Sequence, residues 1–253
     1  MDRQTNPETP NPPLLCIAHR GAMGHAPENT LLSIRTALDL GAACIEVDVF
    51  NVHGNLLVIH DDRLERTTNG KGRLWDHGIG YLRSLDAGQG EHIPTLAEVC
   101  AEIDGMACLN IELKGPSAAA DVVGLIQTMT APGVSRWRLE QLLVSSFDHR
   151  ALQQVRRLDP RISIGALGYA LPVDDARYGQ DLGAVAVNPA LELVDQRFIE
   201  DAHARGLKVY VYTVNEPEDI ARMAQWGADG VFTNYPERVL AHYPQPDMSD
   251  GWV

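Results

Sequence analysis

Apolar residues recur along this chain in eight short runs: LLCIAHR (14–20), ACIEVDVF (43–50), CLNIELK (108–114), LLVSSF (142–147), RISIGAL (161–167), AVAVNP (184–189), LKVYVYTV (207–214) and DGVFTN (229–234). Each reads as a strand, and the segments between them have helical length and period. Successive side chains of a strand point to opposite faces, so Glu46 and Asp48 share one face while Ile45, Val47 and Val49 share the other. Asn110, Glu112 and Lys114 alternate with Leu109, Ile111 and Leu113 in the same way. Two strands therefore carry one charged face each. Gly41, Gly206 and Gly227 sit where helices should stop, just before the next strand. Eight strand–helix units in 253 residues predict an α/β fold, a (β/α)8 TIM barrel, with an open doubly wound sheet as the alternative.

One segment breaks the alternation. Residues 61–94 are dense in turn formers and show little regular period. Loops beyond about 15 residues are usually functional or disordered. Leu74, Trp75, Tyr81 and Leu85 offer this one apolar anchors, so an ordered cap beside the barrel mouth, inserted after the second barrel strand, is expected. No internal linker divides the chain, which points to one domain over 14–243. The proline-rich polar segment 1–13 and the tail 244–253 are expected to be flexible.

Charge narrows the function. With 34 acidic residues against 21 Lys and Arg, the net charge of -13 argues against a nucleic-acid footprint or stable association with an anionic membrane. An anionic substrate must then be recognised by local groups. No apolar run approaches the roughly 18 residues that span a bilayer, and MDRQTNPETPNPP lacks the form of an export leader, so a cytoplasmic location is expected. Cys16, Cys44, Cys100 and Cys108 lie in apolar segments without zinc-ligand spacing and read as buried free thiols.

Barrel active sites lie at the C-terminal ends of the strands, where His19, Arg20, Glu46, Asp48, His60, Glu112 and Lys114 fall. Three inward carboxylates would repel one another unless a hard divalent cation joined them, and an all-oxygen set favours Mg2+ or Ca2+ over Zn2+. Arg20 and Lys114 beside such a site suit a phosphate. His19 and His60, each next to a charged residue at a strand end, suit proton transfer to and from oxygen. The other histidines read as structural. In PENT, Asn29 reads as a helix cap.

These residues resemble the glycerophosphodiester phosphodiesterase family. The likeness runs through HRG (19–21), APENT (26–30), EVDV (46–49), IHDDRLERTTNGKG, LDAG followed by IPTL, NIELK, YTVN and GADGVFTNYP, over residues from about 14 to 240. It implies a TIM barrel with an insertion after the second strand, and metal-dependent hydrolysis of a small-molecule glycerophosphodiester to sn-glycerol 3-phosphate and an alcohol. By position it implies Glu46, Asp48 and Glu112 as ligands of one divalent cation, His19 and His60 as the acid and base, and Arg20 and Lys114 as phosphate clamps. The glycerol hydroxyl next to the phosphate is a candidate internal nucleophile, which would give a cyclic phosphate intermediate. Phe147 and Tyr212 are candidates for the glycerol side, and Trp75 for the alcohol if the insertion folds over the mouth. The family often has Trp where this chain has Tyr212 and Asp where it has Asn234; neither departure removes a catalytic group.

Two other readings stand beside this one. The first is phospholipase D-like cleavage of lysophospholipids or sphingomyelin on the same barrel, against which the sequence offers no obvious exposed apolar segment. The second is a non-catalytic binding barrel, which would normally have lost a carboxylate or a histidine.

Overall fold

The computed structural model describes residues 11–115 and 117–252. Eight parallel strands close on themselves: β1 (Leu15–Ala18), β2 (Cys44–Val52), β4 (Cys108–Lys114), β5 (Leu142–Ser146), β6 (Ser163–Gly168), β7 (Ala186–Pro189), β8 (Lys208–Val211) and β9 (Gly230–Thr233), while β3 (Asn55–Val58) stands outside the ring. Pairing runs round the ring and returns to its start, since β1 is bonded to both β2 and β9. The chain forms the TIM barrel that its alternation predicts. Between the strands run α1 (Leu31–Asp39), α2 (Ile79–Ser84), α3 (Leu96–Ile103), α4 (Ala119–Met129), α5 (His149–Leu158), α6 (Arg177–Leu182), α7 (Gln196–Ala204) and α8 (Pro217–Trp226), and α9 (Pro236–Leu240) follows the last strand. Gly227 ends α8 in the left-handed conformation at φ +86°, as its place before β9 suggests.

Period-two alternation sorts each strand. The outward residues, among them Ile45, Val47, Ile111 and Val144, pack under the helices in the main core. The inward residues form two layers. Near the strand starts, Leu15, Ile17, Cys44, Cys108, Leu143, Tyr210 and Phe232 make an apolar floor. Above it, Glu46, Asp48, Asn110, Glu112, Ser145 and Asn188 are buried polar groups. All four cysteines are free and buried.

Two features differ from expectation. The ninth strand, β3, pairs antiparallel with the far end of β2, which overshoots the barrel. His53 and Gly54 make the turn with φ values of +52° and +81°, a two-residue hairpin of the kind that needs left-handed backbone. The insertion therefore starts earlier than residue 61. It has its own small core of Phe50, Val52, Leu57, Leu64, Leu74, Leu82 and Leu85, so Leu74 and Leu85 anchor it as expected, whereas Trp75 and Tyr81 stay exposed at its surface.

The tail is the second correction. Residues 244–252 lie on the barrel floor, because Trp252 inserts there, 1% exposed, against Tyr210 with ring centroids 5.6 Å apart, and its Nε1 donates to the Gln141 carbonyl at 2.9 Å. The tail is also tied to β1, since the Cys16 amide donates to the Gln245 side chain at 2.9 Å. Residues 1–10 lie outside the described residues. Among the described residues no helix is long and apolar enough to cross a membrane.

Candidate active site

Beyond β1 the chain turns sharply at His19–Arg20–Gly21, with Arg20 at φ +53° and Gly21 at φ +75°. A Cβ on Gly21 would lie 2.6 Å from the Ser33 carbonyl carbon, so only glycine lets α1 approach this closely. The turn is held from several sides: the Arg20 carbonyl accepts from Ser33 Oγ at 2.9 Å and from the Asn29 amide at 3.1 Å. It aims the Arg20 amide at Glu46 Oε2, 2.9 Å away.

Register sets the carboxylates side by side. Asp48 on β2 pairs with Glu112 on β4, and Glu46 with Asn110. Arg20 Nε approaches Asp48 Oδ2 at 3.2 Å, while Lys114 Nζ lies 3.2 Å from Asp48 Oδ1 and 2.5 Å from Glu112 Oε1. Asn29 is not the helix cap. Thr30 caps α1, its side chain accepting from the Ser33 amide, and Asn29 at φ +59° turns its amide onto Asp48, Nδ2 donating to Oδ2 at 2.8 Å.

Burial first, then mutual repulsion, raises Glu46 well above the usual carboxylate range and pushes Glu112 up to about 7. Burial raises Asp48 too, but the Lys114 charge, then those of Arg20 and His60, outweigh it and hold Asp48 below its ordinary value. Three carboxylates face two cations, so the fully ionised cluster keeps an excess negative charge. Glu46 Oε1, Asp48 Oδ1 and Glu112 Oε1 are buried without a directional hydrogen bond, and ligand oxygens of the three residues lie within 4.8 Å of one another. Unsatisfied, convergent and all-oxygen, this set fits a hard divalent cation.

His60 reaches the site through the hairpin. β3 runs back along β2, and the Ile59 amide donates to the Asp48 carbonyl at 3.0 Å. His60 Nδ1 donates to Asp61 Oδ1 at 2.5 Å, which leaves Nε2 for the cavity. Arg66 grips both Asp61 and Glu28, and Glu28 Oε1 also accepts from Arg20 Nη1 at 2.7 Å. Opposite, His19 Nδ1 donates to Asn234 Oδ1 at 2.7 Å, so the position noted as a departure is the neutral partner of a candidate catalytic group. Burial, then the Arg20 charge, pushes His19 down to about 4. His60 is lowered as well, burial acting first and outweighing the pull of Asp48.

His19, Arg20, Glu46, His60, Glu112 and Lys114 line one cavity of about 300 Å3. Phe147 and Tyr212 line it too, edge to face with centroids 5.7 Å apart, and the Tyr212 hydroxyl donates to the Gly168 carbonyl at 3.0 Å. Trp75 does not. It packs edge-on against Phe50 at 5.5 Å and donates Nε1 to the Asn51 carbonyl, so the insertion docks it on the far end of β2, outside the cavity. Tyr169 and Glu192 line the cavity without any motif to announce them. Past Tyr169 the loop exposes Leu171 and Val173, an apolar rim that the strand and helix periods do not reveal. Another cavity, of about 330 Å3, lies on the barrel floor between Tyr210 and the tail. The convergent carboxylates Glu46, Asp48 and Glu112 are at the mouth, which makes the mouth the candidate site for chemistry.

Residues 19–238 match the glycerophosphoryl diester phosphodiesterase family. A glycerophosphodiester phosphodiesterase of Caldanaerobacter subterraneus is 34% identical over 236 residues, 89% of this chain and 96% of that one. One from Bacillus subtilis is 33% identical over 88% of this chain and 84% of its own length. Among solved structures, an Oleispira antarctica phosphodiesterase in complex with the product sn-glycerol-3-phosphate superimposes with a TM-score of 0.82 at 31% identity, covering 90% of this chain and 96% of that one.

Proposed function

The chain belongs to the glycerophosphoryl diester phosphodiesterase family, a family of phosphoric diester hydrolases, and from that premise we propose that it hydrolyses glycerophosphodiesters to sn-glycerol 3-phosphate and an alcohol with the help of one divalent cation, Mg2+ or Ca2+. The observation that carries this reading is the convergence of three buried carboxylates, two cationic side chains and two histidines at one cavity, which Glu46 and Glu112 line with Asp48 beside them. Glu46, Asp48 and Glu112 would hold the cation, which when bound supplies charge stabilisation at the phosphoryl oxygens. Arg20 and Lys114 clamp the phosphate, Arg20 through its planar fork and Lys114 as a point charge. His19 and His60 divide the proton work: one removes the proton from the attacking hydroxyl or water as the new P–O bond forms, and the other gives one to the departing alkoxide. Asp61 fixes the tautomer of His60, as Asn234 does for His19. Residues 14–243 act as one catalytic unit in this scheme.

The test is release of glycerol 3-phosphate from glycerophosphocholine by metal-stripped protein, with Mg2+ or Ca2+ restored and Glu46→Ala as control. Metal-dependent release that the substitution abolishes supports the reading. No release with either metal overturns it. The exposed Leu171 and Val173 beside the mouth favour one second reading, cleavage of a lysophospholipid, which lysophosphatidylcholine in the same assay would reveal.

A further inference from the structure

The two walls of the cavity differ in kind. β1, β2, β4 and the hairpin supply the charged wall that holds His19, Arg20, Glu46, His60, Glu112 and Lys114. The opposite wall comes from four consecutive strand ends. Phe147 follows β5 directly, Tyr169 follows β6, Tyr212 follows β8, and Glu192 lies just past β7. This wall is aromatic and carries one carboxylate. Glu192 is exposed and makes no ion pair among the described residues, whereas Glu112 is paired with Lys114 and the buried Glu46 accepts from the Arg20 amide. Tyr169 is 69% exposed, so its ring is open to a ligand.

The seam between the walls is visible at Phe147, whose ring centroid lies 5.8 Å from Lys114 Nζ. Cationic character therefore ends at Phe147. Once the proposed divalent cation joins Arg20 and Lys114 among the three carboxylates, a further positive group there would be repelled, whereas one placed among Tyr169, Tyr212 and Glu192 meets ring faces and an unpaired carboxylate, both of which attract cations. With that cation in place the cavity is polarised, net positive at the phosphate end and negative at the Glu192 end. Its complement is a zwitterion that carries a phosphate at one end and an ammonium group at the other.

We propose that the β5–β8 wall is a subsite for the ammonium group of a cationic alcohol, with Glu192 and Tyr169 as the residues that determine specificity. The inference deepens the proposed hydrolysis and rests on it, since it assigns the leaving alcohol to this wall in place of the glycerol that the family resemblance suggested for Phe147 and Tyr212. A neutral aromatic cleft would hold the glycerol or any small alcohol equally well; the unpaired carboxylate is what selects charge.

The experiment compares two substrates of nearly the same shape: glycerophosphocholine, and the analogue whose trimethylammonium is replaced by an uncharged tert-butyl group. The wild-type protein is expected to favour the cationic substrate in kcat/KM, mainly through KM. Glu192→Gln should lower that preference roughly fivefold, the size of one partly exposed charge pair, and Tyr169→Leu should lower it further. Both positions are exposed, so neither substitution threatens the fold. A wild-type protein that turns over the two substrates equally, or a preference that Glu192→Gln leaves unaltered, overturns the subsite. Should neither substrate be hydrolysed, the proposed function fails, and the same comparison made with calorimetric Kd values still decides the subsite.

Discussion

Arg66 holds Asp61 through two hydrogen bonds, Nε to Oδ2 at 2.5 Å and Nη2 to Oδ1 at 3.0 Å. The same guanidinium donates to both oxygens of Glu28 at 2.7 and 2.8 Å. Asp61 in turn accepts from His60, and Glu28 from Arg20, whose Nε donates to His19 Nε2 at 3.2 Å. One residue of the insertion thereby links the neighbours of both candidate catalytic histidines.

Arg66→Ala is therefore expected to lower kcat by roughly ten- to a hundredfold, the usual effect of losing a group that orients a ligand or an imidazole. Arg66→Lys should recover part of the loss, because lysine keeps the charge without the fork. Steady-state kinetics alongside a thermal melt checks this; full activity in Arg66→Ala would remove the positioning role.

The acid limb of stability should report the same contact. Hydrogen bonding to Arg66, first, holds Asp61 down at about 2 despite partial burial. A carboxyl group depressed on folding stabilises fully above its unfolded value of about 4 and loses that contribution as pH falls toward 2. The difference in urea midpoint between the wild-type protein and Asp61→Asn should be complete at pH 5 and shrink steadily below pH 4. A difference that grew on acidification would contradict the assignment.

His60→Ala should reduce turnover by about a hundredfold or more while far-ultraviolet circular dichroism stays that of the parent. The imidazole is partly exposed and bonded through Nδ1 to Asp61, so its loss opens no core cavity. Wild-type rates in this variant would take the proton-transfer role from His60.

Trp252→Ala should act on stability and not on catalysis. The ring is buried on the floor, away from the mouth, and its removal is expected to cost about 3–5 kcal/mol. Chemical denaturation would show the loss, and kcat/KM measured well below the melting temperature should stay near that of the parent. An unaltered unfolding midpoint would mean that the tail adds nothing to the barrel.

Much of this protein is a local property of its sequence. Alternation with period two needs only adjacent residues, so the eight barrel strands, the shared face of Glu46 and Asp48 and the charged face of Glu112 and Lys114 are readable without coordinates. Closure of the ring then brings those faces together. What stayed hidden depends on contacts between residues far apart in the chain. Asn29 looks like a cap until Asp48 is beside it; Asn234 looks incidental until β9 pairs with β1 and brings it to His19, 215 positions away. Arg66 stands in the IHDDRLERTTNGKG motif with nothing to mark its role, Tyr169 and Glu192 carry no local pattern, Trp75 packs on the far end of β2 outside the cavity, and Trp252 of the tail is buried on the floor. Sequence by itself determined which side chains could do chemistry and on which strand face they stand, since covalent geometry imposes that. Which of them meet, and which atoms are left without partners in the barrel's interior, was decided by closure of the barrel, because only packing sets distances across it.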